Sequence, residues 1–354
     1  MYHPFHAIQA IRYFAASLKQ KREGPTRYKG NAEQICKQIV KACWNGQYFQ
    51  TSTCHYKEFW ARDFGYTADS LIKLGYKKEV LQTLVYAIEK YSNADKITTT
   101  ISREGTPFSF PNIYSPDSVA LFIHTLRHAP ELVKHQRQFL QEEITKFANK
   151  VLDDAGRVKR NVHYSEMRDY ARHDSSCYNQ CMAVLIAQNA RKMGFEFAYT
   201  EKELIKALDE YWVGTHYRDD RKIWEASGDA NTFPYWIGKG KNFKLSLKAM
   251  QANTLDVPFP LAYSSKQHAH MINAEIFVPG WQNDTIWPIL GLTFMQVVKN
   301  YNRKLAMMYK KEYAKIIEKY GTLYEVYHLD KEPYKSFFYH ADEGMIWAAN
   351  FLTI

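Results

Sequence analysis

Six acidic residues recur along this chain at a nearly constant interval. Asp63, Asp117, Asp174, Asp229, Asp284 and Asp342 are separated by 54, 57, 55, 55 and 58 residues. So even a period marks a repeated supersecondary unit. Apolar periodicity, together with punctuating residues such as Asn31, Gly75, Pro130 and Gly194, predicts helices over 31–44, 63–74, 77–91, 116–128, 131–152, 175–193, 201–212, 230–237, 243–252, 285–300, 303–320 and 342–352. Nothing reads as a strand series. Short turns alternate with long loops at 45–62, 93–116, 153–174, 213–229, 253–284 and 321–341, and each long loop runs into a helix that begins beside one of the acids. The unit is a helical hairpin. Six of them close naturally into a double-layered all-α (α/α)6 barrel, expected as a single domain over 1–354 with residues 1–30 as an N-terminal helical extension. All six long loops then share one rim.

The bulk properties fit such a fold. The 354 residues are 46% hydrophobic and 15% aromatic, enough to bury a large core. The net charge of +10 suggests a polyanion. The lysines, however, are scattered along helical stretches without a compact basic run, so they read as solvated faces and no nucleic-acid partner is expected. The five cysteines include no CxxC pair and suit a reducing, cytoplasmic setting. No apolar run of about 18 residues is present, so no membrane span is expected. The first residues, broken by Pro4, His6, Gln9 and Arg12, read as an amphipathic helix and not as a secretion signal.

A plain account of the acids is N-capping. It leaves unexplained why the same loops carry Trp60, Arg62, Asp169, Arg172, Trp281, Trp287 and Glu325. Carboxylates, Arg and Trp around a concave centre suit a carbohydrate: indole faces stack on pyranose rings, and charged groups take hydroxyls. The stretch SEMRDYARHD (165–174) is the densest of these, crowding Glu166, Arg168, Asp169, Arg172, His173 and Asp174 against a buried-looking helix.

Several segments carry a resemblance. FWARDFGYTADSLIKLG (59–75), PDSVALFIHTL (116–126), SGDANTFPYWIG (227–238), PGWQNDTIWPILGL (279–292) and EGMIWAANFL (343–352) resemble, in order and spacing, the inner-helix starts of the six-hairpin glycosidases, the glucoamylase, trehalase and glycogen-debranching glucosidase group. The resemblance implies an inverting glycoside hydrolase acting on an α-glucoside, with no cofactor; no metal site is expected, since the HAH at 268–270 is only a short spacing with no other ligands to name. Trehalase-like enzymes place their general acid in the third loop, where SEMRDYARHD is similar. This implies Asp169 as acid, with Asp174 in reserve; Arg168 stands where a Trp is usual. GTLYEVYHLDKEPY (321–334) resembles the segment bearing the catalytic base, which implies Glu325, with Glu332 and Glu343 as alternatives. Arg62, Asp63, Asp117, Arg172, Asp174 and Asp284 are expected to hold hydroxyls, and Trp60, Trp281 and Trp287 to stack. Arg62 and Arg172 are expected to stand away from Asp169, because a cation beside it would keep it ionised.

Two other readings stay open. One is another α/α-barrel sugar enzyme, an epimerase or an unsaturated-uronide hydrolase, using histidines such as His163, His173, His268 and His270. The other is a carbohydrate-binding barrel that has lost its acid.

Overall fold

The computed structural model describes residues 4–265, 278–282 and 285–354. The described chain is mostly helical. After α1 (Pro4–Glu23) come α2 (Ala32–Cys43), α3 (Ala61–Lys73), α4 (Lys77–Asn93), α5 (Pro116–Thr125), α6 (Pro130–His135), α7 (Arg137–Val151), α8 (Cys177–Met193), α9 (Glu201–Asp209), α10 (Phe233–Trp236), α11 (Phe243–Ala252), α12 (Pro288–Tyr301), α13 (Arg303–Tyr320) and α14 (Ala348–Thr353).

Two kinds of helix are distinguished by what they bury. In α8 every residue from Cys177 to Ala187 is buried, and in α12 every residue from Pro288 to Met295. By contrast, α13 buries Ala306, Tyr309, Tyr313, Ile316, Ile317 and Tyr320, one stripe at three- and four-residue steps. The all-buried kind is in the middle. α3 packs on α5, α5 on α8, α8 on α10, α10 on α12, α12 on α14 and α14 on α3. Outside them α4 lies on α3, α7 on α5, α9 on α8, α13 on α12 and α2 on α14. Small residues set the inner spacing: a Cβ on Gly65 of α3 would stand 2.6 Å from Leu121 Cβ on α5.

Helix starts are fixed locally. Asn31 and Gln34 form a capping box on α2, Thr200 and Glu203 another on α9, and Ser176 caps α8. Among the five described acids of the period, none occupies the cap position of its inner helix: those positions are Trp60, Ser115, Ser176, Thr232 and Trp347, and Asp63 and Asp117 lie inside the first turn. Two expected helices are short. The expected 230–237 reduces to α10, preceded by turns in which the Asp229 carbonyl accepts the N–H groups of Thr232 and Phe233. The expected 342–352 starts only at Ala348, because Gly344 takes a left-handed φ of 64° that interrupts a helix.

Short strands, absent from the sequence expectation, tie the long loops together. β1 (Phe59–Trp60), β2 (Thr100–Ile101) and β3 (Pro107–Phe108) form an antiparallel sheet in that order, joining the first loop to the second. β4 (Thr285–Ile286) pairs with β5 (Tyr327–His328), joining the fifth to the sixth. Each strand is two residues long, below the length at which alternation is readable. No described helix is long and apolar enough to cross a membrane.

Candidate active site

A hollow of about 670 Å³, its open mouth included, lies among the long loops. Trp60, Arg62, Asp63, Asp169, Trp281, Trp287 and Glu325 all line it, drawn from the first, third, fifth and sixth loops and the helix starts beside them. β1 delivers Trp60 just ahead of Arg62 and Asp63 on α3. The β4–β5 pair sets Trp287 and Glu325 beside neighbouring strand ends. Met167, Ile289, Met345 and Phe110 complete apolar walls.

Asp169 does not stand apart from a cation, contrary to expectation; Arg62 grips it. Its two oxygens accept from the terminal nitrogens of Arg62 at 3.2 and 3.0 Å, and one also accepts from the Ser165 hydroxyl at 2.5 Å. On its far side Arg62 Nε lies 2.6 Å from Asp117 Oδ2, near enough for the charges to pair although off the hydrogen-bond direction. Asp117 is fully buried behind Arg62. It accepts from the hydroxyls of Ser115 at 2.6 Å and Tyr178 at 2.9 Å, and it is not a wall of the hollow. Its carboxylate is thus engaged with protein, and its effect on the hollow runs through Arg62.

Glu325 is in a different environment. It is 5% exposed, and Oε2 accepts from the Tyr339 hydroxyl at 2.7 Å and from the Asp342 N–H at 3.3 Å. Burial pushes its carboxyl up to about 8. The Asp342 charge adds to the rise, and the Tyr339 and Asp342 hydrogen bonds oppose it. Asp63 is pushed to about 7, also by burial, against the pull of Arg62 and of the Trp347 indole N–H at 2.8 Å. At neutral pH the hollow therefore holds a protonated Glu325 beside an ion-paired Asp169.

The aromatic walls carry donors as well as faces. Trp60 and Trp281 each bury an indole N–H with no hydrogen-bond partner among the described residues. Trp287 differs: its N–H is used by the Trp281 carbonyl and the Thr285 hydroxyl, both at 3.1 Å, and it packs edge-on against Trp281. It fixes Trp281 as well as lining the hollow.

Three expected residues are elsewhere or outside view. Asp174 is removed from the hollow: it pairs with Arg160 at 2.6 Å, accepts from the Asn161 N–H, and shares a separate cavity with Arg172. Neither Arg172 nor Asp174 is therefore among the residues that line the hollow with Asp169. Tyr170 lines the hollow, and Arg172, two residues on, lines the other cavity. Asp284, like His268 and His270, lies outside the described residues. Of the alternatives to Glu325, Glu332 binds Lys319 at the surface and Glu343 accepts from Gln20 and the Thr26 N–H; neither lines the hollow.

The crowded third loop has a second reason for its charge. Arg168 is fully buried between Asp219 and Asp229, with its guanidinium 5.7 Å from the Tyr263 ring centre. His173 Nδ1 lies 2.5 Å from Glu166, which also accepts from Ser176. Burial alone would lower the His173 pKa, but the Glu166 carboxylate holds the ring protonated, raising it to about 10. These charges anchor the loop that presents Asp169. Tyr339 and Trp347 carry no spacing signal of a role and meet Glu325 and Asp63 through the fold, whereas Ser165 reaches Asp169 from four residues away in the same loop.

No protein-family profile matches the chain, and no curated protein does. Solved structures do. A rhamnosidase from Klebsiella oxytoca with rhamnose bound aligns at TM-score 0.65 and 11% identity, over 93% of this chain and 64% of that one. The GH78 rhamnosidase of Bacillus sp. GL1 aligns at 0.64 and 13%, over 91% of this chain and 34% of that one. The GH63 mannosylglycerate hydrolase from Thermus thermophilus in complex with glucose aligns at 0.63 and 13%, over 92% of this chain and 100% of that one. This chain spans about two thirds of the Klebsiella enzyme and about one third of the Bacillus enzyme. At such identities the likeness is one of fold: the chain is built like glycoside hydrolases of the GH63 and GH78 groups.

Proposed function

We propose that the chain is an (α/α)6-barrel glycoside hydrolase that inverts the anomeric carbon of an α-glucoside. One observation carries the reading: Asp169 from the third loop and Glu325 from the sixth line one hollow together with Trp60, Trp281 and Trp287. Hydrolysis with inversion needs a carboxylic acid on the leaving oxygen and a carboxylate on a water at the opposite face, about 6.5–9.5 Å apart. Asp63 would take hydroxyls beside this pair, and Trp60 and Trp281 would stack on the ring. Among the described residues no histidine lines the hollow, which disfavours epimerase chemistry. The mannosylglycerate hydrolase complex with glucose supports a hexose in such a fold, and the rhamnosidases make an α-rhamnoside the second substrate to try.

The resemblance makes Asp169 the acid and Glu325 the base. The charges of the hollow favour a second reading with the roles exchanged, because burial keeps the proton on Glu325 while Asp169 is paired with Arg62. Under the first reading, substrate hydroxyls must take over the hydrogen bonds of Arg62 so that the shared proton moves to Asp169. Both arrangements hold the same number of protons, so a pH profile alone does not separate them.

Asp169→Asn and Glu325→Gln, assayed on α-glucosides and α-rhamnosides with good and poor leaving groups, decide the roles. Loss of the acid spares substrates with a good leaving group. Loss of the base removes both activities, and azide restores turnover as a glycosyl azide. NMR of the first-formed sugar reads the anomer. Full activity in both variants overturns the pair.

A further inference from the structure

Behind Glu325 lies a group of side chains the hydrolytic reading does not use. Cys54 and His55 of the first loop and Asp342 of the sixth hairpin bring one sulfur, one imidazole and one carboxylate within 4.8 Å of one another. His55 is fully buried, yet neither ring nitrogen has a hydrogen-bond partner among the described residues. A buried imidazole with both nitrogens unsatisfied is rare and calls for an occupant. Nδ1 lies 3.8 Å from Asp342 Oδ1, too far for a hydrogen bond. Cys54 is a free thiol.

We propose that Cys54, His55 and Asp342 bind one divalent zinc-class ion. The donor set is of the mixed sulfur, nitrogen and oxygen kind that zinc accepts in tetrahedral sites, with the fourth position left to water. Zinc bonds of about 2.0–2.3 Å put tetrahedral ligand atoms about 3.3–3.6 Å apart. The His55–Asp342 separation is already close to this, and a rotation of the Cys54 side chain supplies the rest. The ion displaces the thiol proton, which leaves to solvent.

The carboxylate is pre-oriented for such a ligand. Asp342 accepts the N–H groups of His55 at 2.9 Å and Tyr56 at 3.0 Å, which lock its plane. The main chain of Asp342 makes two hydrogen bonds with Glu325: its N–H donates to Glu325 Oε2 at 3.3 Å, and its carbonyl accepts from the Glu325 N–H at 2.9 Å. A bound ion would thus staple the first loop to the segment that holds Glu325. It would sit behind the hollow and touch no substrate.

The test uses the full chain purified without a polyhistidine tag. Metal analysis is expected to find about one zinc per chain, and the chelator-treated protein to take up Co²⁺ with a tetrahedral spectrum and a thiolate charge-transfer band. Cys54→Ser is expected to abolish that band, and His55→Gln to weaken Co²⁺ binding at least about tenfold. Zinc should raise the melting temperature of the wild type and not of His55→Gln. A folded wild-type protein that carries no zinc and gives no cobalt band overturns the site, whatever its activity on glycosides.

Discussion

Arg62 holds Asp169 with one edge of its guanidinium and Asp117 with the other, so a single cation joins the second and third hairpins at the floor of the hollow. Removing it leaves Asp117 fully buried with its charge uncompensated. Breaking a buried pair by deleting one partner is destabilising by about 3–5 kcal/mol. Arg62→Met is therefore expected to lower the melting temperature, and Arg62→Met with Asp117→Asn to recover most of the loss. The recovery separates the structural pair from the catalytic one: the double variant should fold well and still turn over slowly, because Asp169 has lost the group that orients it. Calorimetry and kcat/KM on the two proteins make the comparison.

Tyr339 donates to Glu325 and so favours its ionised form. Tyr339→Phe removes that donor, and the Glu325 pKa should climb above about 8, by about one unit if the bond is worth about 1.4 kcal/mol. The upper limb of the pH dependence of kcat/KM then moves to higher pH while the lower limb stays in place. This sign holds for either assignment of acid and base, since it follows only from removing a donor that favours the Glu325 carboxylate. An upper limb that does not move means Glu325 is not the group titrating there.

Glu325 also makes stability depend on pH. Its carboxyl titrates near 4.5 when unfolded and near 8 in the fold. The folded state thus binds the proton more tightly, and its contribution is fully present below about pH 4.5. It is lost progressively as pH rises to about 8. Glu325→Gln mimics the protonated form at every pH. Relative to the wild type it should be near neutral at about pH 5 and more stable at about pH 8, by up to a few kcal/mol. Urea melts at the two pH values give the comparison, and equal differences at both would show that Glu325 is ionised throughout.

The period of the acids conveyed the helical plan because every repeat must bury an inner helix, and burial leaves a record in the apolar spacing of 116–125, 177–193 and 288–301. The same acids were poor guides to their own contacts. Asp63 and Asp117 stand at equivalent helix starts, yet one faces the hollow and the other backs Arg62, a difference set by partners 284 and 61 residues away, Trp347 and Tyr178. The crowding around Asp169 was legible as an important loop but not as an anchor, because Asp219 and Asp229 lie 51 and 61 residues downstream of Arg168. Tyr339 left no trace, since a Tyr in a loop has no period to keep.

Arg168 is the position where the resemblance leads one to expect a Trp, and its burial gives a test of what the change means. The guanidinium has Asp219 and Asp229 on either side, and His173 Nε2 lies 3.7 Å from Asp219. Arg168→Met removes one positive charge from this cluster and leaves two carboxylates facing each other without it. The penalty of about 3–5 kcal/mol for an orphaned buried charge should appear as a lower midpoint in urea. The protonated His173 limits the damage by keeping one cation in the cluster, so Arg168→Met with His173→Gln should lose more than the sum of the two single variants. Because the loop also presents Asp169, kcat should fall with the single substitution even under conditions where the protein stays folded. If Arg168→Met leaves both the midpoint and kcat unchanged, the buried charges do not position the loop, and the hold on Asp169 rests on Arg62 and Ser165 alone.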